Sequence, residues 1–204
     1  MVYVRWFFRI IVFVVVAATL HYTLPQRDIV QILNTEVRRV DFGANSIFWA
    51  NSGAGDAVDT VNRDVLFIEA QRPNGSTSVY RNEDTGWGWP PYFKFDTADL
   101  QARARVFITG TGEDQWVAIR HYGWRSQLFS IFPNAVSIDP VEGPDVRLIP
   151  WFNIIFLTLG GILWLSLWRL WRNFRSHRID PLVDDLDARG DRARGRISRW
   201  FSGR

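Results

Sequence analysis

Three histidines (His21, His121 and His177), the carboxylates between Glu83 and Asp99, and no cysteine are what this 204-residue chain offers for reactive chemistry. Without thiols there is no zinc–thiolate cluster, Cys-ligated iron–sulfur centre, covalently attached c-type haem or cysteine nucleophile. The histidines fall in three separate segments of the chain and do not form one site. His121, beside Tyr122, reads as a general base or, more commonly for a lone imidazole, as a strand residue with its hydrogen bonds satisfied. Paired carboxylates can divide acid and base roles when their environments separate their pKa values. Glu83-Asp84 and Asp96 with Asp99 are such pairs, yet each has a structural use. Asp96 and Asp99 suit the N-cap and third position of a helix, and Glu83-Asp84 suits the acceptors that open a turn. An envelope hydrolase on Glu83, Asp84 and His121 is therefore the lesser reading. No G-x-S-x-G, HExxH, Ser/Lys pair with motif spacing or phosphate loop is present. We expect no catalytic residue, no cofactor and no metal site, hence a protein that is not an enzyme.

Aromatic residues are the stronger local signal. Trp87, Trp89, Tyr92, Phe93 and Phe95 crowd one short stretch, with Arg81, Asn82, Glu83 and Asp84 just before it and Trp116, Tyr122 and Trp124 further on. Flat rings interspersed with polar side chains can form a ligand platform, and the same rings can fill a core. As a binding surface the set would be Arg81, Glu83, Asp84, Trp87, Trp89, Tyr92, Phe93, His121, Tyr122 and Trp124.

The elements that position these residues follow from periodicity. Strands are predicted over Ile32–Phe42, Asp64–Gln71 and Thr77–Asn82, the last two joined across Pro73-Asn74-Gly75-Ser76, where Asn-Gly signals a type I′ hairpin. Gly and Pro between Thr85 and Pro91 exclude an element interior. A short helix is predicted from Thr97 to about Phe107, with Leu100, Ala104 and Phe107 at i, i+4 and i+7, stopped by Gly110-Thr111-Gly112. Two strands follow, Gln115–Tyr122 and Leu128–Ile138, the second interrupted at Pro133. The order β-β-β-α-β-β predicts an α+β domain of mostly β character, an OB-like five-stranded barrel.

Hydropathy sets the frame around this domain. Leu148–Trp168 is an uncharged run between Arg147 and Arg169, long enough as a helix for a bilayer's hydrocarbon core, with tryptophans near both ends. Trp6–Leu24 is a second apolar segment. It reads as a helix or signal anchor, or as a cleaved signal peptide with Arg5 and Arg9, an apolar Ile10–Val16 and a site near Val16-Ala17-Ala18. The expected organisation is a membrane helix at 1–24, a β-rich domain at 25–147, a second membrane helix at 148–168 and an Arg-rich tail at 169–204. Arg169, Arg172, Arg175 and Arg178 follow the second span, which places the C-terminus in the cytoplasm by the positive-inside rule. Two spans then put the N-terminus inside and residues 25–147 outside. These residues carry 12 basic and 16 acidic side chains, net −4, whereas residues 148–204 carry 10 Arg and 5 Asp, net +5. The pI near 9.7 thus describes the tail. Its arginines face lipid headgroups, and no nucleic-acid partner is expected. Ile197, Trp200 and Phe201 near the end suit a short basic amphipathic helix on the inner leaflet.

At His21-Tyr22-Thr23-Leu24-Pro25-Gln26, the block from Tyr80-Arg81-Asn82-Glu83-Asp84 through Phe93-Lys94-Phe95, His121-Tyr122-Gly123-Trp124-Arg125 and Ser130-Ile131-Phe132-Pro133-Asn134-Ala135, the chain resembles the bacterial family labelled domain of unknown function 1523. The resemblance covers about residues 1 to 155, and the Tyr80–Phe95 block is its most specific part. It implies a bacterial inner (plasma) membrane protein with a periplasmic domain, and carries over no activity or catalytic residue. The reading of the residues is a non-catalytic membrane protein whose β domain binds an envelope or membrane protein partner or serves as an accessory subunit. The alternative is a module for glycan or lipid headgroups.

Overall fold

Apolar side chains recurring at every second position give the centre of the chain its strands, since alternate residues of a strand share one face. In the computed structural model of the protein, residues 2–41, 62–108, 115–128 and 130–181 are described. They divide into two units, Met1–Pro150 and Trp151–Arg204.

The first unit opens with helix α1 (Val2–Thr23), then strands β1 (Gln26–Asp41), β2 (Asn62–Gln71) and β3 (Thr77–Asn82), helix α2 (Thr97–Val106), and strands β4 (Trp116–Tyr122) and β5 (Asn134–Val141). The strands pair in the order β1-β2-β3-β5-β4, and β4 returns to β1 through antiparallel pairs from Gln26↔His121 to Val30↔Val117. Four of these seams are antiparallel ladders. The fifth, β3 with β5, is a single parallel pair, Arg81↔Asn134. The expected α+β unit of mostly β character is thus present as a mixed unit with a central sheet, whose β3–β5 seam is a single pair. Val30 and Ile32 from β1, Ile68 and Ala70 from β2, Tyr80 from β3, Val117 and Ile119 from β4, and Ala135 and Ile138 from β5 form the core, with Leu100 and Ala104 of α2 packed in. Fully burying each large aliphatic side chain contributes about 1.5–3 kcal/mol, so this cluster is the main source of the unit's stability.

Several local expectations are revised. β1 begins at Gln26, six residues before the predicted Ile32, because its first residues, Gln26 to Val30, pair with β4. The hairpin after β2 is not a type I′ turn. Gly75 N–H donates to Arg72 O (2.9 Å), Arg72 N–H donates to Ser76 O (2.8 Å), and only Gly75 has positive φ (80°). Pro73 fixes a negative φ at the first central position, which suits a type I turn followed by a left-handed glycine. α2 has Asp96 at its N-cap, but Asp96 makes no side-chain capping bond. Asp84 takes that role from across the loop, accepting from Thr97 N–H (3.0 Å) and Thr97 Oγ1 (2.5 Å). β5 starts at Asn134, since Pro133 has no N–H to give a ladder; the preceding Leu128 lies in a turn closed by the Ser126↔Ile131 bridge. Phe42, the Gly110-Thr111-Gly112 stop and the tail segment with Ile197, Trp200 and Phe201 lie outside the described residues.

The second unit is helix α3 (Trp151–Phe174), starting directly after Pro150 and continuing into a π-helical turn, Arg175–Ile179. Both α1 and α3 are long and apolar enough to cross a membrane, and neither hides its surface inside the protein. The hydroxyls of Thr19 and Thr23 in α1, and of Thr158 and Ser166 in α3, donate to carbonyls four residues back at 2.7–2.8 Å. A hydroxyl so satisfied needs no water, which suits an apolar surrounding.

Candidate functional site

Three groups of polar and aromatic side chains stand out in the first unit. The first lies on the inward phase of β1, β3 and β4. Asp28 precedes Val30 and Ile32 at two-residue spacing and thus points with the core. Its Oδ2 accepts from Tyr80 OH (2.5 Å) and Arg72 Nη2 (2.7 Å), and His121 Nε2 lies 3.3 Å away. The His121 contact is at ion-pair distance but off the line of a good hydrogen bond, and neither ring nitrogen finds a better partner. Burial alone would raise the Asp28 carboxyl; the nearby His121 imidazole and the hydrogen bonds from Tyr80 and Arg72 together outweigh it and hold the group well below the usual carboxylate range. Burial and the Asp28 charge push the Tyr80 hydroxyl up.

The second group surrounds the thin seam between β3 and β5. Arg81 Nη1 meets Glu83 Oε2 at 3.1 Å, with both side chains buried. Asn134 bridges the seam: its Oδ1 accepts from Glu83 N–H (2.9 Å), and its Nδ2 donates to Glu83 O (3.0 Å) and to Tyr122 OH (3.1 Å). Lys94, the single lysine of the chain, is buried; its Nζ donates to Asn82 Oδ1 and to Glu83 O (3.3 Å). Asn82 Nδ2 in turn donates to Thr97 O (2.9 Å) and Gln101 Oε1 (2.8 Å). Burial pulls the Lys94 ammonium down to about 8, against the opposing pull of Asp96, Asp84 and Glu83. With one main pairing ladder missing at this seam, side-chain hydrogen bonds do the joining.

The third group is the loop between β3 and α2. Gly86 N–H donates to Lys94 O (3.1 Å) and Gly88 N–H to Thr85 O (2.9 Å), which folds the segment back on itself. Trp87 is 85% exposed, Trp89 73%, Phe93 53% and Phe95 59%. Trp87 packs edge-on against Phe93 (5.3 Å) and Phe95 (6.0 Å), so these three rings form one patch, with exposed Trp89 two residues along the same loop. Phe93 is held at φ 50°, a conformation that bulky side chains avoid. Tyr92 turns the other way: it stacks on Tyr122 at 4.6 Å, and its hydroxyl donates to Thr23 O at the end of α1 (2.6 Å). A second loop reaches the same place, with Gly123 N–H donating to Tyr22 O (2.9 Å) and Trp124 Nε1 to His21 Nδ1 (2.9 Å).

The structure therefore separates the residues read from the sequence. Trp87, Trp89 and Phe93 are exposed together; Tyr92, Tyr122 and Trp124 hold the end of α1; Arg81 and Glu83 are buried beneath. Glu83, Asp84 and His121 have different partners: Glu83 pairs with Arg81, Asp84 caps α2 and His121 faces Asp28. Asp28, Arg72, Tyr80 and Lys94 were not read as site residues. Asp28 had a legible signal, an acid in phase with Val30 and Ile32; Lys94 had none beyond being the sole lysine. Among the described residues no three His, Asp or Glu side chains gather as a metal-holding group.

A mixed α+β chain with a central sheet and two helices, one near each end, apolar enough to cross a membrane is the class these observations define. The chain belongs to the family described as "Protein of unknown function (DUF1523)", which it matches over residues 1–175. That match runs past residue 155 through the whole of α3, so Arg169, Arg172 and Arg175 fall inside it. A relative from Haemophilus influenzae, named "Uncharacterized protein", is 33% identical over 177 residues, covering 82% of this chain and 97% of the relative. No solved structure matches the chain.

Proposed function

We propose that the protein is a two-pass inner-membrane protein, with both termini cytoplasmic, whose periplasmic OB-like domain is a non-catalytic binding or accessory module. Its contact face is the aromatic loop. The observation that carries this reading is the exposure of Trp87, Trp89, Phe93 and Phe95 on a loop fastened from below by Lys94 and Tyr92. Exposed apolar clusters of this kind mark contact surfaces, because leaving them in water is unfavourable. Phe93 adds weight: its left-handed backbone costs on the order of 1–3 kcal/mol and presents the ring outward without burying it. The strand order with a helix between β3 and β4 supports an OB-like, partly open barrel. The arginines after Trp168 support the orientation.

The envelope or membrane protein partner expected from the sequence and the lipid headgroup both fit an apolar aromatic face. The glycan reading is weaker. Sugar platforms combine a ring with hydrogen-bonding side chains, and here Arg81, Asn82 and Glu83 are at most 7% exposed. The test is crosslinking in cells with the Trp87→Ala, Trp89→Ala double variant. The reading predicts a folded protein at normal level that loses the adducts of the parent chain. An unchanged adduct pattern overturns it.

A further inference from the structure

The occupant of the aromatic face can be argued from where the face lies. α1 has 22 residues and extends about 33 Å, close to the roughly 30 Å of a hydrocarbon core, so a bilayer crossed by α1 has its outer boundary near Thr23. The Tyr92 hydroxyl is 2.6 Å from the Thr23 carbonyl, and Gly123 and Trp124 bind the two residues before it. Trp87, Trp89, Phe93 and Phe95 thus belong to a loop fixed at the depth where α1 leaves hydrocarbon. From Thr85 to Phe93 the chain carries no Asp, Glu, Lys or Arg, and Lys94 is turned inward. Leu128, 85% exposed, lies in the second loop that reaches α1.

We infer that the loops 85–95 and 123–128 seat the β domain on the bilayer, with Trp87, Trp89, Phe93 and Phe95 in the phospholipid headgroup and upper acyl region beside α1. The inference rests on the proposed contact face and names its occupant. Indole and phenyl rings favour that layer because they are apolar and, for Trp, have one N–H to solvate. A sugar ligand would instead need hydrogen-bonding side chains among the rings; exposed Asp84 and Asp96 lie outside them, and between Trp87 and Phe93 the Tyr92 hydroxyl is taken by Thr23 O. Seating of this kind holds the domain at a fixed tilt, since α1 and the loops together give several points of attachment where α1 alone gives one.

Because the chain has no cysteine, single nitroxide labels can be placed without removing any native thiol. Full-length Trp87→Cys, Trp89→Cys and Asn74→Cys variants, the last at the β2–β3 hairpin, are labelled and reconstituted in liposomes of phosphatidylethanolamine and phosphatidylglycerol. Power-saturation measurements then compare collisions with oxygen and with a water-soluble nickel chelate. The expected result is an oxygen-to-nickel ratio several-fold higher at 87 and 89 than at 74. Ratios at 87 and 89 equal to that at 74 overturn this inference, while the contact-face reading is decided separately by the crosslinking in cells. Low access to both reagents overturns the lipid assignment and retains the face, with a second copy of the chain as its occupant. A label at Phe95→Cys replaces either position whose variant fails to accumulate.

Discussion

Lys94 is a cation taken out of water and held by an amide oxygen and a carbonyl, and its chemistry is the most exposed to test at the residue scale. Its folded value near 8 lies below the ordinary 10.5, so between those pH values the unfolded chain binds more protons than the folded one. Stability contributed by this group therefore rises with pH across that window. Compared with Lys94→Met, the parent chain is expected to become more stable between pH 8 and 10.5 by up to about 3 kcal/mol. Chemical denaturation of both proteins at a series of pH values reads this difference, and a parallel response of the two sinks the account of Lys94. Asp28 gives a slope of the same sign at the acid end of the pH range. Its folded carboxyl is depressed, so its contribution is present above the unfolded value and is lost as pH falls below about 4. Asp28→Asn should cost about 1.5–3 kcal/mol at neutral pH and flatten the acid limb of the unfolding profile. An acid limb as steep as that of the parent chain would show that Asp28 is not the group responsible. Neither residue was chosen from the sequence, for the same reason. Arg72, Tyr80 and His121 are 44 to 93 positions from Asp28, and only the pairing of β1 with β4 and the inward phase of β3 bring them together.

Among the elements, β4 is a strand whose inward residues run from core (Val117 and Ile119) to polar cluster (His121). Ile119→Ala removes a fully buried side chain and should cost about 2–5 kcal/mol by thermal or denaturant unfolding; a loss below 1 kcal/mol is incompatible with this core. Gly123, just after β4, has φ 94°, and a Cβ there would meet Pro133 Cα and the Tyr22 ring at 3.6 Å. The position allows the turn that brings Trp124 to His21. The sequence showed most strands and α2 through period and turn residues, because those signals are local. It misread the details set by partners elsewhere. Asp96 has the right place for a cap, yet Asp84 performs it through a fold-back of the loop. Pro73-Asn74-Gly75-Ser76 was legible as a turn, but the proline decided its type. The aromatic loop could not be assigned to core or surface because a Gly- and Pro-rich segment has no periodicity to fix which way its rings face.

For the whole molecule, the two apolar helices and the charge difference between the domain and the tail make orientation the first question. With residues 25–147 outside, a cysteine introduced at Ser76 is expected to react with a membrane-impermeant maleimide in spheroplasts. One at Ser202 should react only after permeabilisation. The reverse pattern would reject the proposed topology. The central claim is that the exposed rings of Trp87 and its neighbours are a contact face. It is tested most directly by placing a photo-crosslinking amino acid at position 87 of the full chain in living cells, with position 74 as the control. The account predicts abundant light-dependent adducts at 87, with lipid as the principal species, and few at 74. Equal, low yields at both positions would contradict it.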